Sequence, residues 1–248
     1  MIILDRYAEF AKLYDRLMAN DFDYEKWYEY LEEIFERYKK PSSILEMACG
    51  TGSLSYYLAK AEYDITAFDL SEEMLSIAYN KLIDFDKINL LHLDMRDFTI
   101  NKKFDIILAT CDSINYIIES RDLLDTFKNV YRHLDDNGIF IFDINSYHKL
   151  KNIIGNNTFV EDQEDLFYVW QNYYDEKKNL GEFYLTFFYK EESDKFNRFE
   201  EVHMERAYKV IEIENLLKEA GFKNIEYYEA FTFKSVDEET ERINFIAY

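Results

Sequence analysis

The chain has 248 residues, 48% of them hydrophobic, which suits one large domain or a domain with a sizeable insertion and excludes wholesale disorder. With 29 Lys and Arg against 50 Asp and Glu, the formal net charge is −21, a field that repels phosphate backbones and acidic membranes and argues against a nucleic-acid or lipid-surface protein. Cys49 and Cys111 lie far apart and form no metal-ligand set, no apolar run approaches a membrane span, and Asp5 breaks the opening MIILDRYAEF before it reads as a secretion signal, so a soluble, cytoplasmic protein is expected.

The first 40 residues read as helices, FAKLYDRLM and then YEKWYEYLEEIFERYKK, the second with Trp27, Tyr30, Leu31, Ile34 and Phe35 at helical spacing. Its basic end complements the helix dipole, and Pro41 stops it. After Pro41, short apolar runs alternate with helical stretches: SSILEMA then GSLSYYLAKA, DITAFDL then SEEMLSIAYNKLIDF, INLLHLDM, KFDIILATC then RDLLDTFKNVYRHL, and GIFIFDI. Strands apolar throughout fit a parallel sheet with helices on both faces, so residues 42–147 are expected to form an α/β doubly wound domain. Residues 158–209 then alternate large aromatics with polar groups at strand period, in DLFYVWQNYYDEK, GEFYLTFFYKEE and KFNRFEEVHMERAYK, which predicts an inserted antiparallel meander. A helix over 212–219 ending at Gly221 and two strands, KNIEYYEAFTF and ERINFIAY, close the chain.

The strongest motif, Glu46-Met47-Ala48-Cys49-Gly50-Thr51-Gly52, joins the first strand to its helix. Two glycines one residue apart permit a tight turn and main-chain contact with a ligand. A dinucleotide fingerprint needs a third small residue for helix packing, and here Ser55 stands there. Glu46 precedes the glycines and no Lys or Arg occurs between Pro41 and Lys60, so the loop suits a cation or an ammonium group better than a polyphosphate. Asp69 ends the second strand, where a carboxylate accepts from both ribose hydroxyls, and Ser71 caps the next helix.

These segments resemble the class I S-adenosylmethionine-dependent methyltransferases: LEMACGTGSLS matches the family's first motif, AFDLSEEML the acidic second-strand end, HLDMRDF the third strand end and ATCDSINY the fourth. The resemblance covers about residues 5–150, and the GTG loop with the DxSxxM segment points to the small-molecule branch. It implies S-adenosyl-L-methionine as cofactor and a doubly wound, Rossmann-like seven-stranded sheet. The implied parts are residues 1–157, the N-terminal helices and cofactor-binding core; 158–209, an inserted antiparallel lid or dimerisation sheet; and 210–248, the last helix and two strands. By the same resemblance Ala48, Gly50 and Gly52 border the methionine part of the cofactor, Asp69 holds the ribose, and Leu70 and Met74 flank the adenine. Asp94 accepts from the adenine amino group with Met95 beside the ring, Cys111 offers backbone near the sulfonium, and Tyr7 and Tyr14 close over the methionine end. Read without the resemblance, the glycines make a strand-to-helix turn and Met74 is a core residue.

Methyl transfer from a sulfonium is an in-line displacement that needs alignment and water exclusion rather than a covalent intermediate, with a general base where the acceptor loses a proton. The implied acceptor side comprises Asp112, Asn115, Asp143, Asn145 and Tyr147 at strand ends, and Trp170, His203 and Arg206 on the insert. His203 is the expected base, against a reading as a solvated histidine among Glu200, Glu201 and Glu205; Arg206 either binds a carboxylate substrate or pairs with a glutamate. The expected activity is methylation of a small-molecule N or O acceptor, with a homodimer through the inserted sheet compatible. Against it stand tRNA methylation, an NAD-binding oxidoreductase, and a non-catalytic module that binds the same cofactor.

Overall fold

The structure, a computed structural model, describes Tyr14, Asp15, Leu17 and residues 23–190 and 195–248. Helix α1 (Tyr24–Arg37) is capped by Asp23, whose carboxylate accepts the Lys26 N–H at 3.0 Å, and it buries Trp27, Tyr30, Leu31, Ile34 and Phe35 as their spacing requires. Then follow β1 (Ser43–Met47), α2 (Ser53–Lys60), β2 (Asp64–Asp69), α3 (Glu72–Leu82), β3 (Ile88–His92), β4 (Phe104–Ala109), α4 (Ser120–His133) and β5 (Leu134–Asn145). Strands β6 (Thr158–Asp162), β7 (Leu166–Asp175), β8 (Leu180–Lys190) and β9 (Phe196–Arg206) precede α5 (Val210–Ala220), β10 (Ile225–Glu229) and β11 (Arg242–Ala247).

The main sheet has the order β10-β11-β5-β4-β1-β2-β3, parallel from β5 to β3, with β11 antiparallel to both β5 and β10. Successive residues of a strand point to opposite faces. Leu45 and Met47 therefore join Phe104, Phe140 and Phe142 on one face, while Ile44 packs with Trp27, Leu31 and Leu58 on the other. Both faces are covered, which is why these strands read as unbroken apolar runs. The strand order reverses at β1, which has β2 on one side and β4 on the other, so the crevice at their carboxyl ends is the natural ligand position.

The inserted segment forms a separate four-stranded antiparallel sheet in the order β6-β7-β8-β9. Its first strand, TFVED, was not among the expected ones; it is a short edge strand, largely exposed, with no apolar alternation to reveal it. Along β9, Phe199, Glu201 and Glu205 are buried while Val202 and Met204 are exposed, so one face is turned inward. That face docks at two places. Leu166, Phe187 and Phe199 pack with Leu17 and with Met74 of α3, and Phe183 packs with Leu150 and Ile154 of a π-helical turn (Lys149–Ile154). Among the described residues, no helix is long and apolar enough to cross a membrane.

The turn between β1 and α2 is set by Gly52, which caps α2 at φ +73° and lies against α3. A Cβ there would stand 2.8 Å from Leu82 Cδ1 and 3.1 Å from Ala78 Cβ, so the residue serves both the left-handed turn and the close approach of two helices. Gly52→Ala is expected to cost about 1–3 kcal/mol in urea unfolding, from left-handed strain and overpacking; wild-type stability would mean that the turn relaxes freely.

Candidate active site

Ala48, Gly50 and Gly52 all lie at positive φ, +51°, +55° and +73°, as the chain leaves β1. The turn is tied to the neighbouring strand: Gly50 N–H donates to Asp69 Oδ2 at 2.8 Å, and Asp69 Oδ1 accepts the Ser71 N–H at 2.9 Å. Burial raises the Asp69 carboxyl above its ordinary value, and those backbone donors oppose the rise. Beneath the turn Glu46 is buried in β1, accepting from Ser55 Oγ at 2.5 Å. Burial, with a smaller contribution from Asp69, pushes its carboxyl up to about 7, against the opposing Ser55 hydrogen bond. A folded-state value above the unfolded one means the native protein holds this proton more tightly, so Glu46 lowers stability as pH rises from 4.5 to 7.

Above the turn, Tyr14 and Tyr24 hydrogen-bond through their side chains and, with Glu46, Ala48, Gly50 and Cys111, line a cavity of about 30 Å³. Burial keeps both phenols protonated. Among the described residues no charged nitrogen lines this space, and the sole carboxylate that does is Glu46. Leu70 is exposed beside Asp69, whereas Met74 is buried against the second sheet, as the core reading of it required. Asp94 is near the same edge, where Leu93 N–H donates to Asp69 O, but its carboxylate is held by the Arg96 guanidinium, which keeps it below the usual range. Met95 is half-buried against the core. Tyr7 lies outside the described residues.

A second polar centre stands at the carboxyl ends of β4 and β5. Cys111 and Asp112 are both at positive φ, +58° and +53°, and two successive non-glycine residues there store strain that the surroundings must hold. Asp143 Oδ2 accepts the Asp112 N–H at 3.0 Å, and Arg242 donates to Asp143, to Asp112 Oδ1 at 2.8 Å and to Asn145 Oδ1 at 3.3 Å. Lys149 reaches Asn145 Oδ1 at 3.0 Å, and Asn145 Nδ2 donates to Glu205 Oε2 at 3.0 Å, joining β5 to β9. Burial, then the nearby Asp112, pushes Glu205 up to about 8, and burial raises Asp143 against the pull of Arg242.

This geometry corrects several expected acceptor contacts. Asn115 spends both amide hydrogens on the Asn145 and Arg206 carbonyls and accepts the Asn145 N–H, so it clamps backbone rather than offering groups to a ligand. Arg206 pairs with Glu212 at 2.6 Å and donates to Ile118 O, the glutamate-pairing alternative. Asp112 and Asp143 are committed to Arg242. Trp170 packs between Phe159 and Phe183 over the π-helical turn. His203 is half-buried with Tyr116 edge-on at 5.9 Å, and burial pushes its imidazole down to about 4, so it is neutral at pH 7 rather than a solvated surface histidine. Sequence reasoning missed Arg242, Glu205 and Tyr24, and read Ser55 as a small packing residue without its bond to Glu46; the first two are distant in the chain from the partners they meet.

The sequence model of a family described as a methyltransferase domain matches residues 44–138, from the start of β1 into β5. YqeM of Bacillus subtilis (strain 168), assigned by name to the methyltransferases, is 35% identical over 242 residues, covering 97% of this chain and 96% of that one. The crystal structure of an S-adenosylmethionine-dependent methyltransferase from Clostridium acetobutylicum ATCC 824 superposes with a TM-score of 0.88 at 40% identity, covering 97% of this chain and 98% of that one. The chain belongs to the class I S-adenosylmethionine-dependent methyltransferases. A more distant relative is a dTDP-3-amino-3,4,6-trideoxy-alpha-D-glucopyranose N,N-dimethyltransferase of Streptomyces venezuelae, 31% identical over 107 residues, 43% of this chain and 44% of that one.

The cofactor of this methyltransferase is S-adenosylmethionine, and the residues present fit it. A buried carboxylate in a cavity without a cation among the described residues suits an ammonium group, and Asp69, with one short backbone donor on each oxygen, keeps lone pairs for hydroxyls. The Arg242 centre generates a prediction of its own. Arg242→Met leaves buried carboxylates unneutralised, so the methyltransferase should lose about 3–5 kcal/mol in urea unfolding at pH 7. The loss should shrink near pH 5, where Asp143 takes up a proton. A small or pH-independent loss would show that Arg242 does not carry the charge balance there.

Proposed function

We propose that this methyltransferase acts on a small-molecule N or O acceptor by in-line transfer. The observation that carries the reading is the Asn145–Glu205 bond at 3.0 Å, which draws the inward face of the second sheet over the carboxyl ends of β4 and β5. A covered crevice of that kind suits a small acceptor, and the net charge of −21 disfavours a nucleic acid. The partial similarity to an amino-sugar N,N-dimethyltransferase supports an amine as the first acceptor class to try. On the outer face of the same sheet Tyr173, Tyr184, Val202 and Met204 are exposed, which supports pairing of two copies through it.

In this reading Glu46 receives the cofactor's ammonium group through the cavity, Asp69 its ribose hydroxyls, and the backbone of Ala48 and Gly50 borders its methionine part, with Tyr14 and Tyr24 above. Cys111 lies where backbone faces the reacting centre, and Leu70, Met95 and Asp94 stand toward the adenine. When bound, S-adenosylmethionine supplies a methyl group on a positively charged sulfur that an acceptor lone pair displaces. The chain's own task is to hold the acceptor in line at about 3–3.5 Å, exclude water and take a proton where one is lost. His203, neutral and half-buried, accepts a proton at Nδ1 or Nε2 but is a weak base, so its contribution is at the lower end of the usual range.

Two measurements test this reading. Binding of an ammonium favours the charged form of Glu46, so affinity for S-adenosylhomocysteine in calorimetry should rise about 10-fold between pH 6 and pH 8. Glu46→Gln should abolish that slope; a mutant with the same slope would remove Glu46 from the site. In a screen of amines, amino sugars and small acids, His203→Ala should lower kcat on the accepted substrate about 10²-fold with cofactor binding intact. Unchanged turnover would return His203 to a packing role, and methylation of tRNA with no small acceptor would overturn the substrate class.

A further inference from the structure

Beside the glycine loop lies a polar cluster that the methyl-transfer reading does not use. Asp15 Oδ1 accepts from Thr51 Oγ1 and from Ser53 Oγ, the latter at 3.2 Å, and Asp15 Oδ2 accepts from Lys81 Nζ at 2.8 Å. Lys81 also donates to Ser53 Oγ at 2.7 Å. One carboxylate ahead of α1 thus fastens to both ends of the Thr51-Gly52-Ser53 turn and to the last turn of α3. The preceding residue is Tyr14. Neighbouring positions on a helical turn point about 100° apart, so a carboxylate fixed to the outside of the glycine loop turns the Tyr14 ring onto its top. A Cβ built on Gly50 would stand 4.0 Å from Tyr14 Cε1, ordinary contact.

Lys81 matters for a second reason. The loop's own sequence carries no cation, yet the folded loop has this one beside it, half-exposed and facing Asp15. Lys81 does not line the cavity under Tyr14. Its pairing with Asp15 neutralises a positive charge that would otherwise repel a cationic ligand.

We propose that Asp15 and Lys81 are positioning residues that hold Tyr14 over the glycine loop and so set how tightly the methionine end of the cofactor is retained. The inference rests on the reading of that loop as the cofactor site. Asp15 acts through Tyr14, and the loss of Asp15 removes what Tyr14 supplies without disturbing the ribose and adenine contacts.

The test is calorimetric binding of S-adenosylhomocysteine and of adenosine, which lacks the methionine end, to the intact chain and its variants. Asp15→Asn and Tyr14→Ala should each weaken S-adenosylhomocysteine about 10-fold, the double variant no further than Tyr14→Ala alone, and adenosine should bind unchanged to all three. Lys81→Met opens the cluster from its other side and should weaken S-adenosylhomocysteine in the same ligand-selective way. Additive losses, an equal fall in adenosine affinity, or unchanged binding in both Asp15→Asn and Lys81→Met would overturn the proposal. Asp69→Ala separates the two ideas, since it should weaken both ligands. If it weakens neither, the site reading itself falls, and if it weakens both while Asp15→Asn is silent, the positioning role alone falls.

Discussion

The hydrogen bond from Gly50 N–H to Asp69 Oδ2 is the constraint on which the rest of this site depends. It joins the turn after one strand to the end of its neighbour, and so fixes where three left-handed residues, Ala48, Gly50 and Gly52, place their backbone. The backbone donor is pinned by a half-buried carboxylate, and the top of the turn is bare of side chains at Gly50 and Gly52, which have none. The bare surface is what Tyr14 covers. Gly52 meanwhile lets α2 pack against Ala78 and Leu82, so the carboxylate that organises the turn and the glycine that allows helix packing belong to one short segment.

The second polar centre is organised on a different principle. Asp69 is held by backbone donors, whereas Asp112 and Asp143 are held by a guanidinium from the last strand. Arg242 arrives because β11 runs antiparallel beside β5 and pairs Arg242 with Asn145. A sheet that ended at β5 would leave the strained Cys111-Asp112 turn with two unneutralised carboxylates. The antiparallel return of the chain is therefore part of the site, in addition to closing the sheet.

Legibility in the sequence followed distance along the chain. The strands, the glycine loop, Asp69 and the cap at Ser71 were readable because each signal sits within a few residues: apolar period, glycine spacing, or a carboxylate just before a helix. The sequence left Asn115 as an acceptor contact and Arg206 open between a carboxylate substrate and a glutamate, because position at a strand end does not reveal whether a polar group is already spent on carbonyls or a glutamate. Arg242 and Asp143 are 99 residues apart, and only the register of β11 against β5 brings them together. The cation-free character of the loop's sequence was correct for the segment and incomplete for the fold, because Lys81 comes in from α3.

Charge placement separates the two halves of the crevice. Among the described residues the cavity under Tyr14 has a single carboxylate and no cation, so its field favours a positive ligand group. At the carboxyl ends of β4 and β5, Asp112, Asp143 and Glu205 face Arg242 and Lys149. Burial, then the nearby Asp112, pushes the Glu205 carboxyl up to about 8, which reduces the negative charge of that centre near neutral pH. Holding a cation more tightly in the ground state lowers KM but opposes a step in which positive charge leaves the sulfur. Carboxylates placed beneath and beside the glycine loop, at Glu46 and Asp69, with Arg242 paired to Asp112 and Asp143 at the other centre, limit that opposition. In the proposed reading, charge is recognised at the amino end of the cofactor and the reacting centre is left to alignment, the contribution that a packed, largely uncharged surface of Cys111 and Tyr14 is suited to make.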